Sequence, residues 1–182
     1  MKTKLIFLLS FLAWMISFSS CKEEDFDTMP PETRSGKNTF GCMINGELFV
    51  GGYSASLFDP VVLGASYQTA YDKLYVTAKG KIGRIYMEID TPQENATKGF
   101  SSANYSPYDY PSHQISSSES EVCIWFDATD DGICIITRFD TVKKIVSGRF
   151  EFIGKCTFSN DSTLFKQITQ GRFDLKLDII NE

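Results

Sequence analysis

Thr39-Phe-Gly-Cys-Met-Ile44-Asn45-Gly46-Glu47-Leu-Phe-Val50 holds two short apolar runs on either side of an Asn-Gly pair. Asn-Gly suits the two positive φ values of a type I′ turn, whose twist matches that of the strands it joins. The stretch therefore predicts a hairpin with strands at 39–44 and 47–50, and it sets the period for the rest of the chain. Further strands are expected at 61–67, 73–78 and 83–90. In the last of these Ile85, Met87 and Ile89 alternate with Tyr86, Glu88 and Asp90. Val122-Cys-Ile-Trp-Phe126 and Ile133-Cys-Ile-Ile-Thr-Arg-Phe139 follow, with the DATDDG between them read as their hairpin turn. Two more strands are expected around 145–158 and 165–180. No stretch combines helical periodicity with caps. The fold expected is all-β, a single antiparallel sandwich or barrel-like domain of about 8–10 strands.

The last two strands carry one signature. Ile145-Val-Ser-Gly-Arg-Phe-Glu-Phe152 and Ile168-Thr-Gln-Gly-Arg-Phe-Asp-Leu175 both read I-x-[S/Q]-G-R-F-[E/D]-[F/L]. Two copies are too few for a solenoid. The alternation puts Phe and Phe or Leu on one face and Arg149 with Glu151, or Arg172 with Asp174, on the other. The glycine points to a bulge or a close backbone approach, so these residues read as structural.

The N-terminus begins Met1-Lys-Thr-Lys4, continues with an apolar run from Leu5 to Phe18, and reaches Cys21 through Ser19 and Ser20. The run falls short of the ~20 apolar residues that span a bilayer as a helix. Charged start, apolar middle and small residues before a cysteine resemble a bacterial lipoprotein signal. The resemblance implies that residues 1–20 are removed and Cys21 is lipidated. Lys22-Glu23-Glu24-Asp25 looks like the export tag of surface lipoproteins in one large Gram-negative phylum, implying a lipid-anchored protein on the outer face of the outer membrane. Residues 21–37 are polar, contain Pro30-Pro31 and read as a flexible tether with a reach of roughly 20–25 Å, followed by the folded domain at 38–182. Loss of Lys2 and Lys4 with the signal takes the formal net charge from −5 to −7. That sign disfavours nucleic acid and anionic lipid surfaces, which need clustered Lys and Arg.

The order NGELF hairpin, ITRFD, KKIVSGRFEF and ITQGRFDLKL is similar to a family of small uncharacterised all-β lipoproteins. The likeness covers 39–50 and about 135–178, leaves 91–121 uncovered, and implies a fold rather than an activity.

Residues with the means for chemistry are few. His113 is the one histidine, and no nucleophile motif accompanies it. Asp127-Ala-Thr-Asp-Asp131-Gly132 has the opening spacing of a calcium loop, but Arg138 stands where the bidentate Glu belongs, so a turn is expected and no metal. No cofactor is expected. Cys42, Cys123, Cys134 and Cys156 lie in the domain without a C-x-x-C spacing. In the expected 122–139 hairpin, Cys123 and Cys134 would be roughly 10–13 Å apart, too far for a disulfide. The other two connectivities, Cys42–Cys123 with Cys134–Cys156 and Cys42–Cys134 with Cys123–Cys156, stay open; Cys156 shares parity with Phe150 and Phe152 and reads as a buried thiol, so free cysteines are preferred over them. Asp27-Thr28, Asp140-Thr141 and Asp161-Ser162 resemble an O-glycosylation sequon of the same phylum, with Thr28, Thr141 and Ser162 as acceptors.

Between Gly99 and His113, Tyr105, Tyr108 and Tyr110 stand among Ser, Asn and Pro. Tyrosines on a proline-stiffened loop suit a sugar ring or a protein surface, which makes these three and His113 the candidate ligand-binding residues. The expected function is a non-catalytic binding or interaction module at the cell surface, with a glycan or protein partner. Two rivals stand beside it: a small hydrolase using paired carboxylates, and a structural accessory subunit of an envelope complex.

Overall fold

The computed structural model describes residues 27–53, 62–107, 125–129, 132–158 and 161–181. They form eleven β-strands and no helix: β1 (Thr39–Ile44), β2 (Glu47–Val50), β3 (Leu63–Gln68), β4 (Lys73–Gly80), β5 (Gly83–Asp90), β6 (Thr97–Gly99), β7 (Ser102–Ser106), β8 (Phe126–Ala128), β9 (Ile133–Asp140), β10 (Ile145–Thr157) and β11 (Thr163–Ile180). The all-β expectation holds. Asn45 and Gly46 take φ of 50° and 84°, and the flanking strands begin and end where the sequence places them.

Two long strands organise the sheet. β11 carries β10 on one edge, and β1 followed by β3 on the other. β10 carries β11 on one edge, and β9 followed by β8 on the other. Hydrogen-bonded neighbours run from β11 through β3, β4, β5, β7, β8 and β10 back to β11, so the sheet closes into a barrel-like ring. β1–β2 and β9–β6 extend from it. Among the described residues every pairing is antiparallel except β11 with β3. Closure pairs both edges of the ring strands and leaves the short β2 and β6 as terminal edge strands among the described residues.

The period of two fills the interior. Leu74, Val76 and Ala78 of β4 face inward beside Ile85, Met87 and Ile89 of β5, and all six are fully buried. A run of phenyl rings crosses the core, with Phe40 against Phe49 at 5.9 Å, Phe40 against Phe150 at 5.1 Å and Phe150 against Phe173 at 6.3 Å. The repeated signature sits at the centre of this run. β10 and β11 pair so that Gly148 opposes Phe173, Arg149 opposes Arg172 and Phe150 opposes Gly171. Each phenylalanine therefore lies over the other copy's glycine. A Cβ at Gly148 would come within 2.6 Å of the Phe173 ring, and one at Gly171 within 2.4 Å of the Phe150 carbonyl oxygen. The two G-R-F copies are the halves of one local pseudo-twofold lock.

Four expectations give way. β8 and β9 do not form a hairpin; both lie along the same edge of β10, whose register advances by two residues across the DATDDG stretch. They are one strand line interrupted by an insertion, because β10 offers a continuous edge longer than either. Strands β6 and β7 occupy a region read as loop, and Tyr105 belongs to β7. Cys42 and Cys134 are free and buried, but Cys156 is disulfide-bonded. Finally, residues 27–37 of the expected tether lie against the domain. Met29 and Pro30 cross Gly41 so closely that a Cβ there would meet them at 2.9 and 2.5 Å.

Gly171→Ala is expected to destabilise the protein by about 3 kcal/mol, because the new methyl meets backbone rather than a side chain that can swing away. Gly64→Ala, in β3 with nothing within 4 Å of its Cβ position, should stay within about 0.5 kcal/mol of wild type. Denaturant midpoints of the two variants check this, and equal midpoints would refute the lock.

Candidate functional site

The lock dictates what stands on the outer face. With Gly paired to Phe on both sides, Arg149 and Arg172 have to face one another directly across the β10–β11 ladder. Like charges in that relation destabilise a sheet. The strap formed by residues 27–37 supplies the counter-charge. Glu32 Oε2 accepts from Arg149 Nε at 2.9 Å and from Nη2 at 2.7 Å. The hydrogen bond from Arg149 holds the Glu32 carboxyl below its usual range, outweighing the opposing effect of burial, with help from the charges of Arg149, Arg34 and Arg172. Arg172 has no equivalent partner among the described residues: its Nε is buried and makes no hydrogen bond with them.

The two guanidinium groups line a cleft of about 360 Å³ with Glu32, Glu151, Gln170 and the outward side chains of Ile133 and Ile135 from β9. Gln170 has φ of 54°, a left-handed conformation that a non-glycine residue adopts at a cost. It stands where the register of β11 shifts against both neighbours, between Ile168 and Gly171 on the β10 side and between Thr169 and Arg172 on the β1 side. A bulge of this kind re-aims the side chains that follow it, here Arg172. Chemically the cleft offers two forked donors above an aliphatic floor, an arrangement that binds a planar anion. Glu32, kept ionised by Arg149, is unsuited to be the proton donor of a two-carboxylate hydrolase.

The strap is fastened by a second carboxylate. Asp174 follows Arg172 on the outer face yet is 1% exposed. It accepts from Thr33 Oγ1 at 2.5 Å, from the backbone N–H of Ser35, Gly36 and Lys37 at 3.0, 2.7 and 3.2 Å, and from Ser147 Oγ at 2.7 Å. Burial raises its pKa, but the hydrogen bonds from Thr33, Ser35, Ser147 and Gly36 outweigh burial and bring it down to about 2. Three consecutive N–H groups converging on one carboxylate make a small anion nest. Arg138 adds a bond to the Arg34 carbonyl, and Asn38 Oδ1 accepts from Lys176 N. Glu32 is thus delivered to the arginines by a backbone that is held independently of it.

The residues picked out by sequence lie elsewhere. Tyr105 is 4% exposed, packs against Phe126 at 6.1 Å and donates to the Ile82 carbonyl at 2.6 Å. Burial pushes its phenol up to about 12, and it presents no face to a ligand. Tyr108, Tyr110 and His113 lie outside the described residues, as do Cys21, Lys22, Glu23, Glu24 and Asp25. Of the expected glycosylation acceptors, Thr28 is exposed on the strap, Thr141 in the β9–β10 turn and Ser162 in the β10–β11 turn. The three are scattered and share no site. Asp127 is exposed on β8, while Asp130 and Asp131 lie outside the described residues. Among the described residues no cluster of His, Cys, Asp or Glu could hold a metal ion. Arg149, Arg172, Glu32 and Asp174 were not singled out as a site by sequence; only the duplicated G-R-F carried a signal for them.

Asp174→Asn should weaken the fold by about 2 kcal/mol and release residues 33–37, seen as loss of amide protection at Ser35, Gly36 and Lys37. Because the folded pKa lies below the unfolded one, the contribution of Asp174 is complete above about pH 4 and is lost as pH falls through about 2. Chemical shifts of those three amides should titrate over that window, and a midpoint near 4 would contradict the nest. Burial raises the Cys134 thiol to about 12 and the Cys42 thiol likewise upward. Neither should react with an aromatic disulfide reagent until the chain is unfolded; rapid native labelling of either would show the core to be open.

No protein-family model, curated protein or solved structure shows a match to this chain.

Proposed function

We propose that this chain is a lipid-anchored binding module of the bacterial envelope, tethered through Cys21 to the outer membrane and facing outward, and that it engages a glycan or protein partner at the arginine cleft. The observation that carries this reading is the direct opposition of Arg149 and Arg172 with only one of them neutralised. A sheet gains nothing from two facing guanidinium groups, and violations of local rules concentrate where a fold serves function. The signal-like N-terminus and the KEED tag support the location.

The non-catalytic reading rests on the chemistry of the cleft. Its charged groups are two permanent cations, Glu151, and a Glu32 kept ionised by Arg149, a set suited to exchanging one carboxylate for another rather than to proton transfer. The test is binding of the full chain in a non-ionic detergent to immobilised envelope glycans and outer-membrane proteins, compared with Arg149→Ala/Arg172→Ala. Binding by wild type that falls at least about tenfold in the double variant, with little change in melting temperature, is the expected result. Full binding by the double variant would move the partner off this cleft. Turnover of a bound glycan, abolished by Glu151→Gln, would favour the hydrolase instead.

A further inference from the structure

We infer that the cleft is a receptor for a carboxylate flanked by an aliphatic group, and that Glu32 is its built-in occupant, covering Arg149 while Arg172 stays open for the incoming ligand. The inference rests on the proposed use of this cleft and names its ligand chemistry.

Three observations converge. Both donor atoms that meet Glu32 come from the edge of one guanidinium group, so what the site already holds is a carboxylate. The facing Arg172 lines the same cleft, and its Nε is buried and makes no hydrogen bond among the described residues; leaving a buried donor of a charged group unsatisfied is costly unless a shift of the side chain lets something else complete it. The rest of the lining is Ile133, Ile135, Phe150 and Gly171; the Phe150 ring is 3% exposed and packed against Phe40 and Phe173 in the core, so the accessible apolar wall is that of the two isoleucines. Sugar rings stack on aromatic side chains; a branched or linear alkyl group suits this wall better.

Charge decides how the ligand enters. Glu32 pairs with Arg149, and Glu151 lines the same cleft without an ion pair to Arg172, so the formal charges of the resting cleft sum to zero and it attracts an anion weakly. When the Glu32 side chain swings out the cleft carries one net positive charge. The move is local, because the strap is fastened by Asp174 and does not depend on Glu32. An entering carboxylate therefore exchanges with the Glu32 carboxylate on Arg149 and adds the contact to Arg172 that Glu32 does not make. Glu151 stays beside the site and leaves room for one anionic group only.

The experiment titrates the full chain, in a non-ionic detergent at low salt, with hexanoate, and follows Arg Nε–H resonances and heat. Hexanoate should bind wild type, about tenfold more tightly to Glu32→Gln and at least about tenfold more weakly to Arg172→Gln. Raising salt should weaken all three. Arg172→Lys, which keeps the charge but not the fork, should also bind poorly if the folded state of Arg172→Gln is in question. Unchanged or weaker binding by Glu32→Gln overturns the role of Glu32. Equal binding of inorganic sulfate, phosphate or glucuronate overturns the aliphatic carboxylate and leaves the cleft as a general anion site. Failure of hexanoate, with partner binding still lost in Arg149→Ala/Arg172→Ala, sinks this inference and spares the binding module; loss of neither sinks both.

Discussion

Reciprocal packing of Phe150 over Gly171 and Phe173 over Gly148 is the constraint on which the rest of this structure depends. Neither glycine can gain a methyl group and neither phenylalanine can shrink without opening a void between the two longest strands. The lock fixes the β10–β11 register, and a one-residue slip would turn every side chain to the opposite face. Because β1 and β3 follow one another on β11, and β9 and β8 on β10, that register is passed to both sides of the ring. The phenyl run from Phe49 to Phe173 then packs around the same centre.

The same lock creates the site. A pseudo-twofold pair of G-R-F copies places arginine opposite arginine as inevitably as it places phenylalanine opposite glycine. The fold answers one of these charges with Glu32, and it holds Glu32 by a device unrelated to charge pairing, the backbone nest around Asp174. The division of labour separates stability from recognition. Asp174 holds the strap over the sheet, whereas Glu32 is a replaceable contact on an exposed arginine, whose ion pair in water contributes little to stability.

How much of this was legible depends on the range of the determining contact. The 39–50 hairpin and β5 were readable because turn chemistry and alternation are local, and both match residue for residue. β7 was not, since Ser102, Asn104 and Ser106 carry no strand signal and only Ala103 and Tyr105 alternate inward; Tyr105 therefore passed for a loop aromatic. DATDDG looks like a hairpin turn by composition, and only the length of β10 reveals it as an insertion within one strand line. The strap has linker composition, and its order comes from N–H groups, which every such sequence possesses, meeting one aspartate 137–141 residues away. The arginine pair lay nearest to discovery: the repeat was visible, and an antiparallel reading with Gly set opposite Phe would have placed the two arginines face to face.

The measurement that tests the account most directly is a double-mutant cycle on stability at Arg149 and Arg172 in a Glu32→Gln background. If the lock forces two uncompensated cations together, Arg149→Gln or Arg172→Gln should each raise stability by about 0.5 kcal/mol there, with a gain that fades as salt is added. The second substitution should add less than the first, since only one like charge has to go. Lowered stability in both single variants, unaffected by salt, would mean that the arginines support the sheet and would contradict the account.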